Sequence, residues 1–337
     1  AKLSAQQPTF DRTKQPVLAP APNLTLPPIT ERTLPNGLRL IVVERHQLPL
    51  VDISLVIKTG AEVEPATKTG TATLMATLMT EGAGTRNSQA IAEQQSFLGV
   101  SVNAFSTWDQ TGVALHAPTA VLDSALALFA DVALRPTFPG AEFDKQKTQR
   151  MTQLLQVADR GPAMADRAFS QILYGATHPY GRPLAGVERT VDSLSRADVE
   201  AFYRSIFLPN NAFIVVVGDV TPADIERRAT AIFGAWKGGT APAPAYGATP
   251  ARTDRRIYVV DKPKAPQASF RIGAIGVSRL TPDYYALQVM NTILGGPFTS
   301  RLNQHLREDK GYTYGAGSNF SMRRQEGPFA ARSEIAS

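Results

Sequence analysis

The sequence predicts an α+β fold: duplicated domains, each a mixed or antiparallel sheet backed by helices, with the second domain incomplete. Three observations carry that reading. Asn36-Gly37 lies between two strand-like runs, the strongest short-range hairpin signal. Strand-like and helix-like stretches then alternate over roughly 200 residues, enough for one sheet with its covering helices. Finally, RLIVVERHQLP at 39–49 aligns with RIYVVDKPKAP at 256–266 at a constant offset of 217, so that Arg39, Val42, Val43 and Pro49 recur as Arg256, Val259, Val260 and Pro266.

The elements follow in order. Leu18 to Pro28, LAPAPNLTLPP, holds too much proline for a helix or central strand and reads as part of an extended N-terminal arm over 1–30. The first domain, 31–237, opens with the hairpin and continues into VDISLVIKTGA, a strand of alternating apolar residues. Helices are expected at about 68–81 and 88–98; in the first, Leu74 and Leu78, Met75 and Met79 repeat at i and i+4 and mark a buried face. SVNAFST and TGVALHA form a strand pair around Trp108-Asp109. Helices at about 119–134, 140–158, 162–174 and 196–206 lead to a buried strand, NAFIVVVGDV at 211–220, closed by a helix at about 222–235. The stretch 238–254, rich in Gly, Pro, Ala and Thr, is a linker. From 255 to 337 the order strand, loop, helix begins again, but for roughly 80 residues against roughly 200. A domain halted in mid-sheet exposes an edge strand and unpaired apolar faces.

Composition excludes several chemistries. At 337 residues the chain exceeds one compact domain, and its 43% hydrophobic and 19% charged residues suit packed cores. There is no cysteine, which rules out disulfides, thiolate metal sites and cysteine catalysis. The four histidines, His46, His116, His178 and His305, lie far apart and offer little to a zinc site. The net charge is +6, but the basic residues are scattered, densest at Arg252, Arg255 and Arg256, with no aromatic interleaving; a nucleic-acid partner is not expected. No apolar run approaches the ~18 residues a bilayer span requires, so no membrane span is expected. The opening AKLSAQQPTF fits a mature N-terminus left after signal removal.

Thr73 and Thr77 stand one turn apart on one face of the 68–81 helix, with Ala76 beside them, and none of these side chains suits zinc or proton transfer. That helix belongs to an ordered series of motifs: LPNGLRLIVVE, GTATLMATLMTEGAGTRNSQAIAEQQSFLGVSVNAFST, ALRPTF, HPYGRPLAG, FYRSIFLPNNAFIVVVGDV and LGGPFTSRLNQHLREDKGYTYGAGSNF. From about Thr33 to Glu326 the series resembles the pitrilysin/insulinase superfamily of zinc metallopeptidases, nearest to the mitochondrial-processing-peptidase-like bacterial branch built as pairs of subunits.

The resemblance implies several roles. Active members carry His-x-x-Glu-His on this helix, with the Glu activating the metal-bound water. Thr73 and Thr77 fall where the two His belong, Ala76 where the base belongs, and Gln153 near the place of a further Glu ligand. No metal is therefore expected on this chain, with zinc expected in a partner. In LREDKGYTY, Arg307 and Tyr314 have the seven-residue spacing of a pair that, in such complexes, holds the substrate backbone and hydrogen-bonds the developing oxyanion. Tyr312 and Arg301 are the competing residues. Asn103, Ala104 and Phe105 resemble the edge strand that pairs with an extended substrate, the alternative being an interior strand. His178 and Asn210-Asn211 read as loop signals, and LGGPFTS at 294–300 lacks the long Gly-rich loop by which one kind of noncatalytic subunit recruits presequences.

The function so implied is that of a noncatalytic subunit in a heterodimeric zinc metalloendopeptidase. Its partners would be a homologous zinc-bearing sister subunit and a peptide or unfolded substrate. The alternatives are a structural, core-type scaffolding subunit and a stand-alone peptide-binding protein. The resemblance, with a Pro-rich and Cys-free N-terminus, implies the periplasm or cell envelope of a bacterium, with the cytoplasm as the alternative.

Overall fold

A computed structural model describes residues 25–249 and 254–336. The N-terminal arm up to residue 24 and the linker segment 250–253 lie outside the described residues.

The first half begins with β1 (Ile29–Thr33) and β2 (Arg39–Glu44), an antiparallel pair around Asn36-Gly37. Gly37 takes φ +88°, a left-handed conformation that disfavours any side chain. Asn36 Nδ2 donates to the carbonyls of Phe233 (2.7 Å) and Trp236 (3.1 Å), tying the turn to residues some two hundred positions away. Next come β3 (Leu50–Ile57), α1 (Thr71–Met79), the two-residue strands β4 (Gly82–Ala83) and β5 (Arg86–Asn87), and α2 (Ser88–Leu98). The hairpin of β6 (Ser101–Ser106) and β7 (Thr111–Pro118) leads into α3 (Leu122–Leu134), α4 (Gly140–Val157) and α5 (Gly161–Tyr174). The half closes with α6 (Glu188–Asp192), α7 (Arg196–Ile206), β8 (Ala212–Gly218) and α8 (Pro222–Phe233).

The six strands lie in the order β1-β2-β8-β3-β7-β6, and only β2 and β8 run parallel. The last strand in sequence thus enters between β2 and β3, and the sheet is complete only once β8 is in place. Its apolar positions and those of α1, α3, α7 and α8 share one core.

The second half contains β9 (Gln267–Ile275), α9 (Tyr284–Gly295), α10 (Arg301–Asn303) running into a π-helical turn at Gln304–Asp309, β10 (Thr313–Phe320) and β11 (Pro328–Ala336). Its antiparallel order β10-β11-β9 repeats β6-β7-β3 of the first half. The duplication seen in the sequence is therefore an architectural one.

The strand and helix expected after the aligned stretch are β9 and α9, whereas the stretch aligned with β2 itself forms no strand at 256–260, where Ile257 and Val259 are 94% and 86% exposed. The cause is the missing neighbour: β2 holds its place by pairing with β8, and β9 has no counterpart of β8 beside it among the described residues.

The halves meet through side chains. One face of β9 packs on α5, where Arg271 Nε donates to Asp166 Oδ1 at 2.6 Å. The loop between β10 and β11 reaches further: the Arg323 guanidinium lies 3.6 Å from the Trp108 ring centroid, and Arg324 Nη2 donates to the carbonyls of Lys58 (2.6 Å) and Asp109 (2.7 Å). Residues 238–249 form no helix or strand, yet Tyr246 is anchored, its hydroxyl donating to Asp109 Oδ1 at 3.2 Å.

Candidate functional site

Two places deserve comparison: the α1 face that carries Thr73 and Thr77, and the turn that carries Arg307 and Tyr314.

Helix α1 starts at Gly70, whose φ of +100° and close approach to Ala185 O both favour glycine. In place of a capping side chain from Gly70, the buried Glu64 turns both oxygens to the helix start, accepting from Ala72 N at 2.6 Å and Gly70 N at 3.1 Å. Burial pushes the Glu64 carboxyl up to about 8, against the pull of those two bonds and of Arg182 and Arg150. Of the nine helix residues only Thr73 and Thr77 are not buried. The helix is a core element with one face open.

Both hydroxyls on that face are committed. Thr73 Oγ1 donates to Leu184 O at 3.0 Å and accepts from Arg150 Nη1 at 2.9 Å, while Thr77 Oγ1 donates to Thr73 O at 3.0 Å. Ala76 offers a buried methyl. Gln153 is exposed on α4 and makes no hydrogen bond to α1; the α4 side chain that reaches Thr73 is Arg150, three residues earlier. These residues do not fit a zinc ion. A guanidinium bonded to a would-be ligand repels a divalent cation, and no group of three or more His, Asp or Glu able to hold a metal occurs among the described residues. Sequence reasoning overlooked Arg150; the available signal was its place one turn before Gln153 on the same helix.

The second place is built differently. The π-helical turn presents Arg307, whose Nη1 donates to the carbonyl of Tyr314 at 2.8 Å. The strand register of β10 shifts between Thr313 and Ala316, a bulge that lifts Tyr314 out of the ladder and leaves it 84% exposed. Thr313 Oγ1 holds the bulge by accepting from Gly315 N at 3.1 Å. Buried Asn303 braces the surroundings, donating to Phe298 O (2.6 Å) and accepting from Ala316 N (3.2 Å). The Arg307 guanidinium lies 4.6 Å from the Phe298 ring centroid. An open concavity of about 510 Å³ is lined by Phe298, Asn303, Arg307, Tyr314, Arg332 and Glu334 among others. Arg307 and Tyr314 are thus brought together at one rim. Of the competing residues, Tyr312 is half exposed and Arg301 opens α10.

Asn103, Ala104 and Phe105 lie on β6, which pairs with β7 alone and forms an edge of the six-stranded sheet. Its outer backbone groups are free of ladder bonds, the arrangement an extended peptide can extend. His178 sits in a tight turn, accepting from Tyr180 N at 3.0 Å.

The two halves match two descriptions in turn. Residues 39–187 match Insulinase (Peptidase family M16), and residues 193–337 match the Peptidase M16 inactive domain. An uncharacterized zinc protease of Mycobacterium tuberculosis is 27% identical over 293 residues, which is 86% of this chain and 66% of that protein. The uncharacterized zinc protease YmxG of Bacillus subtilis is 26% identical over 302 residues, covering 89% of this chain and 72% of that one. The chain spans about two thirds of the length of the curated relatives it matches. Among solved structures, a peptidase M16 inactive domain from Pseudomonas fluorescens superposes with a TM-score of 0.81 at 27% identity, covering 92% of this chain and 74% of that one. A protease from Helicobacter pylori shares the fold with a TM-score of 0.85 at 22% identity, covering 92% and 75%.

Proposed function

Because the chain belongs to peptidase family M16, the insulinase family, we propose that it is the noncatalytic subunit of a two-chain zinc endopeptidase. A homologous sister subunit would carry the zinc, which would supply polarisation of the scissile carbonyl and activation of a water. This chain contributes Arg307 and Tyr314 from its second half. Tyr314, held out of the sheet by the bulge and positioned through its carbonyl by Arg307, donates its hydroxyl to the carbonyl oxygen as negative charge develops. The free edge of β6 at Asn103, Ala104 and Phe105 accepts an extended stretch of substrate, whose side chains matter little to the pairing. The periplasm or cell envelope is the compartment that goes with this reading.

One contrast carries the proposal. The α1 face holds a guanidinium where a metal would need ligands, while the bulged strand keeps a tyrosine hydroxyl free and an arginine braced beside it. Reconstitution with a zinc-bearing sister tests it. Tyr314→Phe in an active pair is expected to lower kcat by ~10²–10³, the loss typical of one oxyanion donor, with little change in KM. An unchanged kcat would leave a scaffolding subunit, and peptide retention by the isolated chain with no active pair would leave a peptide-binding protein.

A further inference from the structure

We propose that the Thr73 face of α1 is a carboxylate-binding site, with Arg150 as its cation and peptide carboxylates as its ligands. The site lies in the first half and does not depend on the roles given to Arg307 and Tyr314.

The guanidinium is fixed at one corner only. Nη1 donates to Thr73 Oγ1 at 2.9 Å and to Ala185 O at 3.3 Å, and Thr73 is itself held by Leu184 O. Nε and Nη2, the pair of donors that grips a carboxylate in a fork, make no hydrogen bond among the described residues and are not among the buried atoms left without a partner. They therefore open to water. Half burial of the side chain strengthens whatever they bind.

No carboxylate neutralises this charge. Arg150 forms no ion pair within 4.0 Å among the described residues. Glu64 is the acidic group that faces it, but both Glu64 oxygens are turned to the backbone of α1, and a second guanidinium, Arg182, bonds to the Glu64 carbonyl at 2.9 Å. Two guanidiniums thus flank one buried carboxyl that burial keeps largely protonated at neutral pH, so the local charge is positive, and the open Nε–Nη2 fork matches the two oxygens of a carboxylate. The carboxylate can come from a peptide C-terminus or from an acidic side chain.

The test uses three eight-residue unstructured peptides with acetylated N-termini: one with a free C-terminal carboxylate and no acidic side chain, one amidated with a single Glu, and one amidated with none. Binding is measured by calorimetry, with the Arg150 Nε–Hε resonance followed by NMR. At least one carboxylate-bearing peptide should bind ~10-fold or more tightly than the third and shift that resonance, and the stronger of the two identifies the source of the group. Arg150→Met should erase the preference, while Arg227→Met, at an exposed arginine of α8 outside both sites, should leave it intact. Equal binding of all three peptides, or a preference that survives Arg150→Met or disappears in Arg227→Met, overturns the site. Should Arg150→Met not fold, Arg150→Lys decides: it keeps the charge but loses the fork, and undiminished preference there counts against the proposal.

Discussion

At Thr73 a single neighbour decides what chemistry α1 can support. The Arg150 guanidinium lies against Thr73 on the open face of the helix, so two imidazoles placed there would not by themselves make a metal site. Thr73→His, Thr77→His and Ala76→Glu together, with Gln153→Glu added, should therefore not yield stoichiometric zinc, as read by atomic absorption on the purified protein. Adding Arg150→Ala to that set should raise the zinc content. Equal zinc content with and without Arg150 would show that the guanidinium is no obstacle. Tyr314 makes the opposite point: its exposure is a product of the Thr313 bulge, so the role proposed for its hydroxyl rests on a neighbour that takes no part in the chemistry proposed.

The loop between β10 and β11 couples the halves alongside the packing of β9 on α5. Arg324 donates to Glu62 Oε1 at 3.3 Å, and its backbone N–H donates to Asp109 Oδ2 at 2.9 Å. Burial pushes the Glu62 carboxyl from 4.5 up to about 7, although Gly60 N and Arg324 favour the charged form. In the folded state Glu62 keeps its proton to about pH 7, whereas the unfolded chain releases it near 4.5. The folded state binds more protons in that window, so this group makes stability fall as pH rises through it. Glu62→Gln should flatten the decline in Tm between pH 5 and 7; parallel Tm profiles for the two proteins would remove Glu62 from the account. Helix α1 supplies the other lesson at this scale, because its i, i+4 pattern reports burial of one face and says nothing of what stands opposite the other.

Across the whole molecule, the halves differ in how much apolar surface they cover. In the first, α1 is packed on all sides but one and the sheet reaches six strands. In the second, Tyr285, Val289 and Ile293 of α9 and Phe270 and Ile272 of β9 stay exposed. Exposed apolar surface of this extent favours association. A protein made of these 337 residues should sediment as a concentration-dependent mixture, and Phe270→Ser with Ile272→Ser should shift it toward monomer. Because both side chains are exposed, Tm should hardly move, the stability change staying within ~0.5 kcal/mol per site. Sedimentation that is independent of concentration in the parent protein would refute this.

The sequence by itself determined the order and kind of the main elements of the first half, because helix and strand periods are local, while the short strands β4 and β5, helix α6 and the strands β10 and β11 went unread. Asn36-Gly37, the alternation in VDISLVI and the apolar run of β8 need no knowledge of their neighbours to be read. It also placed Thr, Ala and Thr at positions 73, 76 and 77, side chains poorly suited to zinc, and set Arg307 and Tyr314 seven apart. Tertiary structure alone decided the rest. The rotation of α4, set by packing, faces Arg150 rather than Gln153 toward Thr73. Residues 256–260 have the sequence of β2 but not its strand, since pairing requires a partner that the sequence of the strand cannot provide. The Tyr314 bulge likewise depends on the Thr313 hydroxyl, which accepts from Gly315 N and donates to Glu334 O on the facing strand. Local patterns are written residue by residue; which side chains share a space is a property of distant segments meeting.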